Sequence, residues 1–170
     1  MHKLRDSPGN IEEDLRKKLE DIAGNGKVYV LGLGNTDRAD DGAGVLVALA
    51  LKKLFPLYSF SEHDGIEGTV LDISERLDDL AVFFVDAANF KDDPGSVKLV
   101  RREEIKETEI TTHRVAVALM ASILEKNGKK CAVICIQPER ISFRGKVSEP
   151  VKGSIKILVR ILSELMSESN

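Results

Sequence analysis

The sequence has no tryptophan, only two cysteines, three histidines and five prolines in 170 residues. Each scarcity removes a class of protein. Two cysteines cannot build a disulfide scaffold or a thiolate-rich metal centre, and three scattered histidines cannot close a histidine-only one. No uninterrupted apolar run is longer than that from Val45 to Leu51, which falls far short of the roughly 18 residues that a membrane-spanning helix needs. Charge of one sign is also missing: 28 acidic and 25 basic residues leave a net charge of -3, which offers nothing to a phosphate backbone or an anionic membrane. The first 26 residues are polar and contain no apolar segment of the secretory kind, so a cytoplasmic location is expected. What is present, 42% hydrophobic and 31% charged residues without repeats or low-complexity tracts, suits one soluble globular domain.

The periodicities divide the chain into an N-terminal extension, residues 1–26, and a single α/β domain, residues 27–170. In the extension, Ile11, Leu15, Leu19 and Ile22 recur at helical spacing, with Asn10 and Glu13 as a capping box and Gly24 as a stop. This stripe is expected to pack on the domain. Val28 to Leu33 reads as a central strand, apolar on both faces. A helix from Asp41 to Leu54, a strand from Leu57 to Glu62, a short helix from Thr69 to Leu77 and a strand from Ala81 to Val85 follow. The turn at Asp93, Pro94 and Gly95 leads into Val97 to Val100 with no helix between, which predicts an antiparallel or edge strand. Arg101 to Glu109 reads as a solvated loop. Thr112 caps a helix carrying Val115, Leu119 and Ile123, Cys131 to Ile136 forms the last strand, and Pro150 opens a helix with Val151, Ile155, Leu158, Leu162 and Leu165 on one stripe. Cys131 and Cys135, four apart, share one face of their strand and read as core thiols. Alternating strands and helices predict a mostly parallel sheet between two helical layers.

Ligands in such folds bind beyond the carboxyl ends of the strands. The first strand ends in a glycine-rich loop, but Asp37 replaces the third glycine of a dinucleotide fingerprint. Asp37, Asp40 and Asp41 would also repel a phosphate there, and suit a cation. Capping of the next helix is the plain structural alternative for these aspartates. Asp86 ends the third strand, where an Asx turn would also explain it. His113 follows Thr112 at a helix start, a position that keeps imidazole neutral and able to bind metal or carry a proton, with a surface histidine of the first turn as the plain structural alternative. Asp41, Asp86 and His113 thus converge from three elements as an open divalent-metal site of the catalytic type. His63 and Asp64 form a rival pair at the same edge, His2 lies in the polar tail, and neither a GxSxG elbow nor an HExxH helix occurs.

These residues carry a likeness. Val30-Leu-Gly-Leu-Gly-Asn35 with Asp40-Asp-Gly-Ala-Gly44 resembles the opening motif of the hydrogenase maturation endopeptidases. Val85-Asp-Ala87, Pro94-Gly95, Thr111-Thr-His113, Ile136-Gln-Pro138 and Pro150-Val-Lys152 continue it and resemble the branch that serves hydrogenase-3-like and archaeal enzymes. The resemblance runs from Val28 to the last helix and leaves residues 1–26 outside. It implies a three-layer α/β/α sandwich of the phosphorylase/hydrolase-like kind. It also implies removal of a C-terminal peptide from the precursor of a [NiFe] hydrogenase large subunit once nickel is in place. The family's metal-contacting positions fall on Asp41, Asp86 and His113, through aspartic-type or metal-assisted hydrolysis. Nickel arrives with the substrate, and zinc or another divalent ion could substitute. Substrate recognition falls on Asp64, Gly65, Gly68 and Thr69, and a monomer is expected. The alternative is a non-catalytic metal- or nucleotide-binding module.

Overall fold

Strands that are apolar on both sides need helices on both sides, and β1 (Lys27–Gly32) and β3 (Leu80–Ala87) are of that kind, with β3 buried at every position. The structure, a computed structural model, describes residues 8–106 and 114–170. Its remaining elements are α1 (Pro8–Ala23), α2 (Ala43–Lys52), β2 (Ser59–Ser61), α3 (Ile66–Ser74), β4 (Val97–Val100), α4 (Arg114–Lys126), β5 (Lys130–Ile136) and α5 (Glu149–Ser169), with three short 3-10 turns between them. The sheet order is β2-β1-β3-β5-β4. All pairings are parallel except β4 with β5, so the edge strand expected at Val97 to Val100 is antiparallel, as its helix-free connection requires.

Two apolar clusters lie on opposite faces. On one, Leu19 of α1, Val47 and Leu51 of α2 and Leu158 and Leu162 of α5 pack on Val30, Phe83, Val85 and Ile134. On the other, Val70 and Ile73 of α3 and Val117 and Leu124 of α4 pack on Leu31, Val82, Phe84 and Cys135. The three-layer α/β/α sandwich is therefore the observed architecture, and Cys131 and Cys135 do share a face.

Several expectations are corrected. Val115 and Leu119 are exposed, because α4 turns Val117, Met120, Ala121 and Leu124 to the sheet instead. That face has the same 3.6-residue period, shifted by two residues. On α1, Leu19 and Ile22 are buried and Leu15 is partly so, but Ile11 is 57% exposed, beyond the sheet's cover. The stretch after β4 is no simple loop: residues Arg102–Lys106 form a 3-10 turn that buries Ile105. The helix expected from Asp41 begins only at Ala43, because Ala39–Gly42 form a 3-10 turn first. β2 shrinks to three residues, and α3 starts at Ile66, three residues earlier than Thr69. The Asn10 side chain and Thr112 lie outside what the structure describes.

α2 approaches the sheet more closely than any side chain would allow. A Cβ on Gly44 would lie 2.0 Å from the Val85 carbonyl oxygen and 2.5 Å from that of Leu33, and one on Gly32 would lie 2.1 Å from the Gly44 carbonyl oxygen. Backbone on both sides leaves nothing to repack. Gly44→Ala is therefore expected to cost at least about 3 kcal/mol, the upper end of overpacking penalties. Gly68→Ala in α3, where an added Cβ meets nothing within 4 Å, should instead stabilise by up to about 1 kcal/mol. Urea midpoints of the two variants check this contrast. Burial also pushes both thiols up to about 12. The native protein should thus take up no iodoacetamide at pH 8, whereas the denatured chain should take up two equivalents by mass.

Candidate active site

The chain leaves β1 toward β2 and leaves β3 toward the opposite side of the sheet, so the carboxyl ends of these two neighbours flank a crevice at the switch point. Asp41 lies in the 3-10 turn after β1, at this edge, and is 6% exposed. Asp86 lies inside β3, one residue before its end, in register with Cys135 and 1% exposed. The Asx-turn alternative therefore falls away for Asp86; the local turn is made by Asn89, whose Oδ1 accepts from the Lys91 N–H at 3.1 Å. Alternation along the strand puts Asp86 on the side of Phe84, the α3 and α4 face. Its charge adds to the burial that raises the Cys135 thiol. Helix α4 precedes a parallel strand and so opens at this same edge, at Arg114. His113, like Thr111 and Thr112, lies outside the described residues. Among the described residues no three His, Cys, Asp or Glu side chains gather as a metal site. The structure thus places Asp41 and Asp86 on neighbouring elements at one sheet edge, and each carries the oxygen donors that suit a divalent ion.

Asp40 does something the sequence reading missed. It is fully buried, and its carboxylate accepts four hydrogen bonds from the segment joining β5 to α5. The donors are Glu139 N at 2.9 Å, Arg140 N at 3.1 Å, Ser148 N at 2.7 Å and Ser148 Oγ at 2.8 Å. Burial alone would raise this carboxyl's pKa; the bonds from Ser148, Arg140 and Glu139 outweigh it and hold the group below its ordinary value. None of the three aspartates caps α2. Gly42 takes that position without a side-chain bond, and Asp37 stays exposed. The signal for Asp40 was its place beside Asp41, but its partners are about a hundred residues away in sequence.

At β2, Asp64 is occupied locally. Its carboxylate caps the turn Glu62–Asp64 by accepting from Ser61 N at 2.8 Å and Ser61 Oγ at 3.1 Å, and it pairs with Lys52 Nζ at 2.5 Å. Gly65 follows with a left-handed backbone, the Thr69 hydroxyl donates to its carbonyl at 3.2 Å, and Gly68 borders open space. All four stand at the carboxyl edge, since β2 runs parallel to β1. His63 is exposed, and the Asp64 of that rival pair faces Lys52 instead. Glu62, read as part of a solvated cluster, has a buried Oε2 that no described residue hydrogen-bonds. Buried Gln137 ties the edge together, its Oε1 accepting from Phe90 N at 2.9 Å.

With this geometry in place, comparison with known proteins decides the class. A profile of the hydrogenase maturation proteases matches residues 69–165, more than half of the chain. The chain belongs to this family. It is 28% identical to a putative hydrogenase maturation protease of Methanocaldococcus jannaschii, over 93% of this chain and 97% of that one. It is 26% identical to the hydrogenase 3 maturation protease of Escherichia coli K12, over 78% and 86% of the two. Among solved structures, it resembles the crystal structure of a [NiFe] hydrogenase maturation protease HycI from Thermococcus kodakarensis KOD1. There the TM-score is 0.71 at 28% identity, over 88% of this chain and 99% of the other. The hydrogenase maturating endopeptidase HybD from E. coli shares the fold, with a TM-score of 0.64 at 23% identity and coverage of 85% and 94%. Membership of the family makes the chain a hydrolase, an endopeptidase by class.

The Asp40 bonds generate a pH prediction. A carboxyl whose folded pKa lies below its unfolded value near 3.8 contributes stability that is fully present above that value. The contribution is lost as pH falls through the folded pKa. Asp40→Asn should therefore cost roughly 2 to 4 kcal/mol at neutral pH, since hydrogen bonds to a buried charge are each worth about 1.5 to 3. It should also be less sensitive than the parent to acid below pH 4. Chemical denaturation at pH 7 and pH 3 measures both.

Proposed function

We propose that this protein removes the C-terminal peptide from the precursor of a [NiFe] hydrogenase large subunit after nickel insertion. The observation that carries this reading is the pair of almost buried carboxylates, Asp41 and Asp86, at the switch-point crevice of a chain of this family. In this reading Asp41, Asp86 and His113 contact the nickel that the precursor brings, and so place the scissile peptide bond in the crevice. Hydrolysis adds water across that bond: a carboxylate beside the ion takes the proton of the attacking water, and the leaving amine receives one. Two carboxylates and one imidazole, with no thiolate, form an open site of modest affinity, suited to share a metal that another protein already ligates. A zinc or other divalent ion would satisfy the same donors. The loop with Asp64, Gly65, Gly68 and Thr69 faces the substrate from β2. The enzyme acts as a monomer in the cytoplasm; no helix among the described residues is long and apolar enough to cross a membrane.

Chelator-stripped protein incubated with nickel-loaded precursor should release the C-terminal peptide, seen as a mass loss, and should leave nickel-free precursor intact. Asp41→Asn should keep the fold and lower the cleavage rate by at least about a hundredfold, because the amide keeps the shape but loses the charge. Equal cleavage of both precursor forms would remove the nickel from the mechanism. Cleavage at the parent rate by Asp41→Asn would remove Asp41 from it.

A further inference from the structure

The carboxyl edge carries one more feature, an apolar and basic projection that the fold holds in place. It is the segment from Gln137 to Ser148 between β5 and α5. Besides its four bonds to the Asp40 carboxylate, it is tied by Arg144 N to the Asp37 carbonyl at 2.6 Å and by Asp40 N to the Arg140 carbonyl at 3.3 Å. Three non-glycine residues have positive φ among those described, and two of them, Ala39 at 51° and Arg144 at 56°, lie in this junction. Such conformations persist where surrounding contacts over-determine them. From this anchored segment Phe143 projects 71% exposed and Ile141 45% exposed, with the Arg144 guanidinium 5.4 Å from the Phe143 ring centroid. Exposed Arg140, Arg144 and Lys146 outnumber its one acid, Glu139, in a chain whose net charge is -3.

We propose that this segment is the surface on which the precursor docks. In this arrangement Phe143 and Ile141 enter an apolar, acid-flanked depression beside its cleavage site, and Asp40 is the positioning residue that sets the segment against Asp41. The inference rests on the proposed function and names the contact that the function needs. Asp40 and Asp41 are neighbours in one turn, so a substrate that reaches Asp41 meets the segment that Asp40 holds. The local positive charge favours an acidic rim on that substrate. An aromatic ring on a fixed support loses little freedom on binding, which is what makes such a residue an anchor.

The test uses nickel-loaded precursor, with calorimetric affinity and cleavage kinetics measured on the full chain. Phe143→Ala should raise Kd and KM at least about tenfold with kcat within twofold. Leu77→Ala serves as the control, being fully exposed but placed before β3 at the opposite edge of the sheet, and should match the parent. Asp40→Asn, or Ser148→Ala should Asp40→Asn not fold, should raise KM, and adding Phe143→Ala to it should raise KM by less than Phe143→Ala does alone, since both act through one contact. Parent-like Kd and KM for Phe143→Ala, or an equal loss in Leu77→Ala, would overturn the docking surface. Full additivity would overturn the role of Asp40. Should the parent bind the precursor without cutting it, the proposed function fails while the Kd comparison still decides the docking surface.

Discussion

Everything at the carboxyl edge depends on how closely α2 lies against β1 and β3. With hydrogen in place of Cβ at Gly32 and Gly44, backbone meets backbone, and the helix start sits directly over the strand ends. A helix held off by side chains would lift the turn before it, and Asp41 with it, away from the strand ends. Gly34 extends the same constraint. Its φ is +121°, and a Cβ there would fall 1.9 Å from the Asp41 carbonyl oxygen, so the turn that carries Asp41 closes onto the strand it came from. The glycines of this loop thus serve approach, where a nucleotide site would use them to admit phosphate.

Two adjacent acids then separate their work. Asp40 faces inward and is saturated by donors from the far side of the sequence, which makes its charge part of the fold. Asp41 takes no share in those bonds and stays nearly buried at the carboxyl edge. A buried carboxylate is costly unless fully hydrogen-bonded, and Asp40 meets that condition with backbone N–H groups, which cannot rotate away as side chains do. The same bonds join the β1–α2 turn to the β5–α5 segment. The site's two loops are therefore one unit mechanically, though they are separated by about a hundred residues of chain.

The architecture was legible because each element carries its own period: the alternation of strands and helices, the edge strand at Val97 and the stripe on α5 all follow from local pattern. What pattern does not specify is phase. On α4, Val115, Leu119 and Ile123 are spaced as well as Val117, Met120, Ala121 and Leu124, and packing against β5 selects the latter. That Asp41 and Asp86 stand at one edge was legible because strand ends in a parallel sheet point the same way. Asp40 was not. Its role is defined by Glu139, Arg140 and Ser148, and no local rule predicts that a loop near the other end of the chain returns there. Asp64 shows the converse, since a residue chosen for recognition by its motif is also engaged as the cap of its own turn and as partner to Lys52.

The placement of the carboxylates also bears on how, under the proposed function, a chain so poor in cysteine and histidine would work on a metal that its substrate carries. Thiolates and imidazoles give a protein a metal of its own, and a protease that kept one would respond to its own ion and not to the state of its substrate. Under the proposed function Asp41 and Asp86, on separate elements and short of a full ligand set among the described residues, would hold an ion weakly unless another molecule contributes ligands. Under the proposed function that weakness is the source of discrimination. In that reading the carboxylates offer negative charge to a cation, and the complex forms when the substrate supplies it. The backbone beneath them serves that reading, because one carboxylate is carried by a buried strand and the other by a turn that Gly34 lets close onto β1.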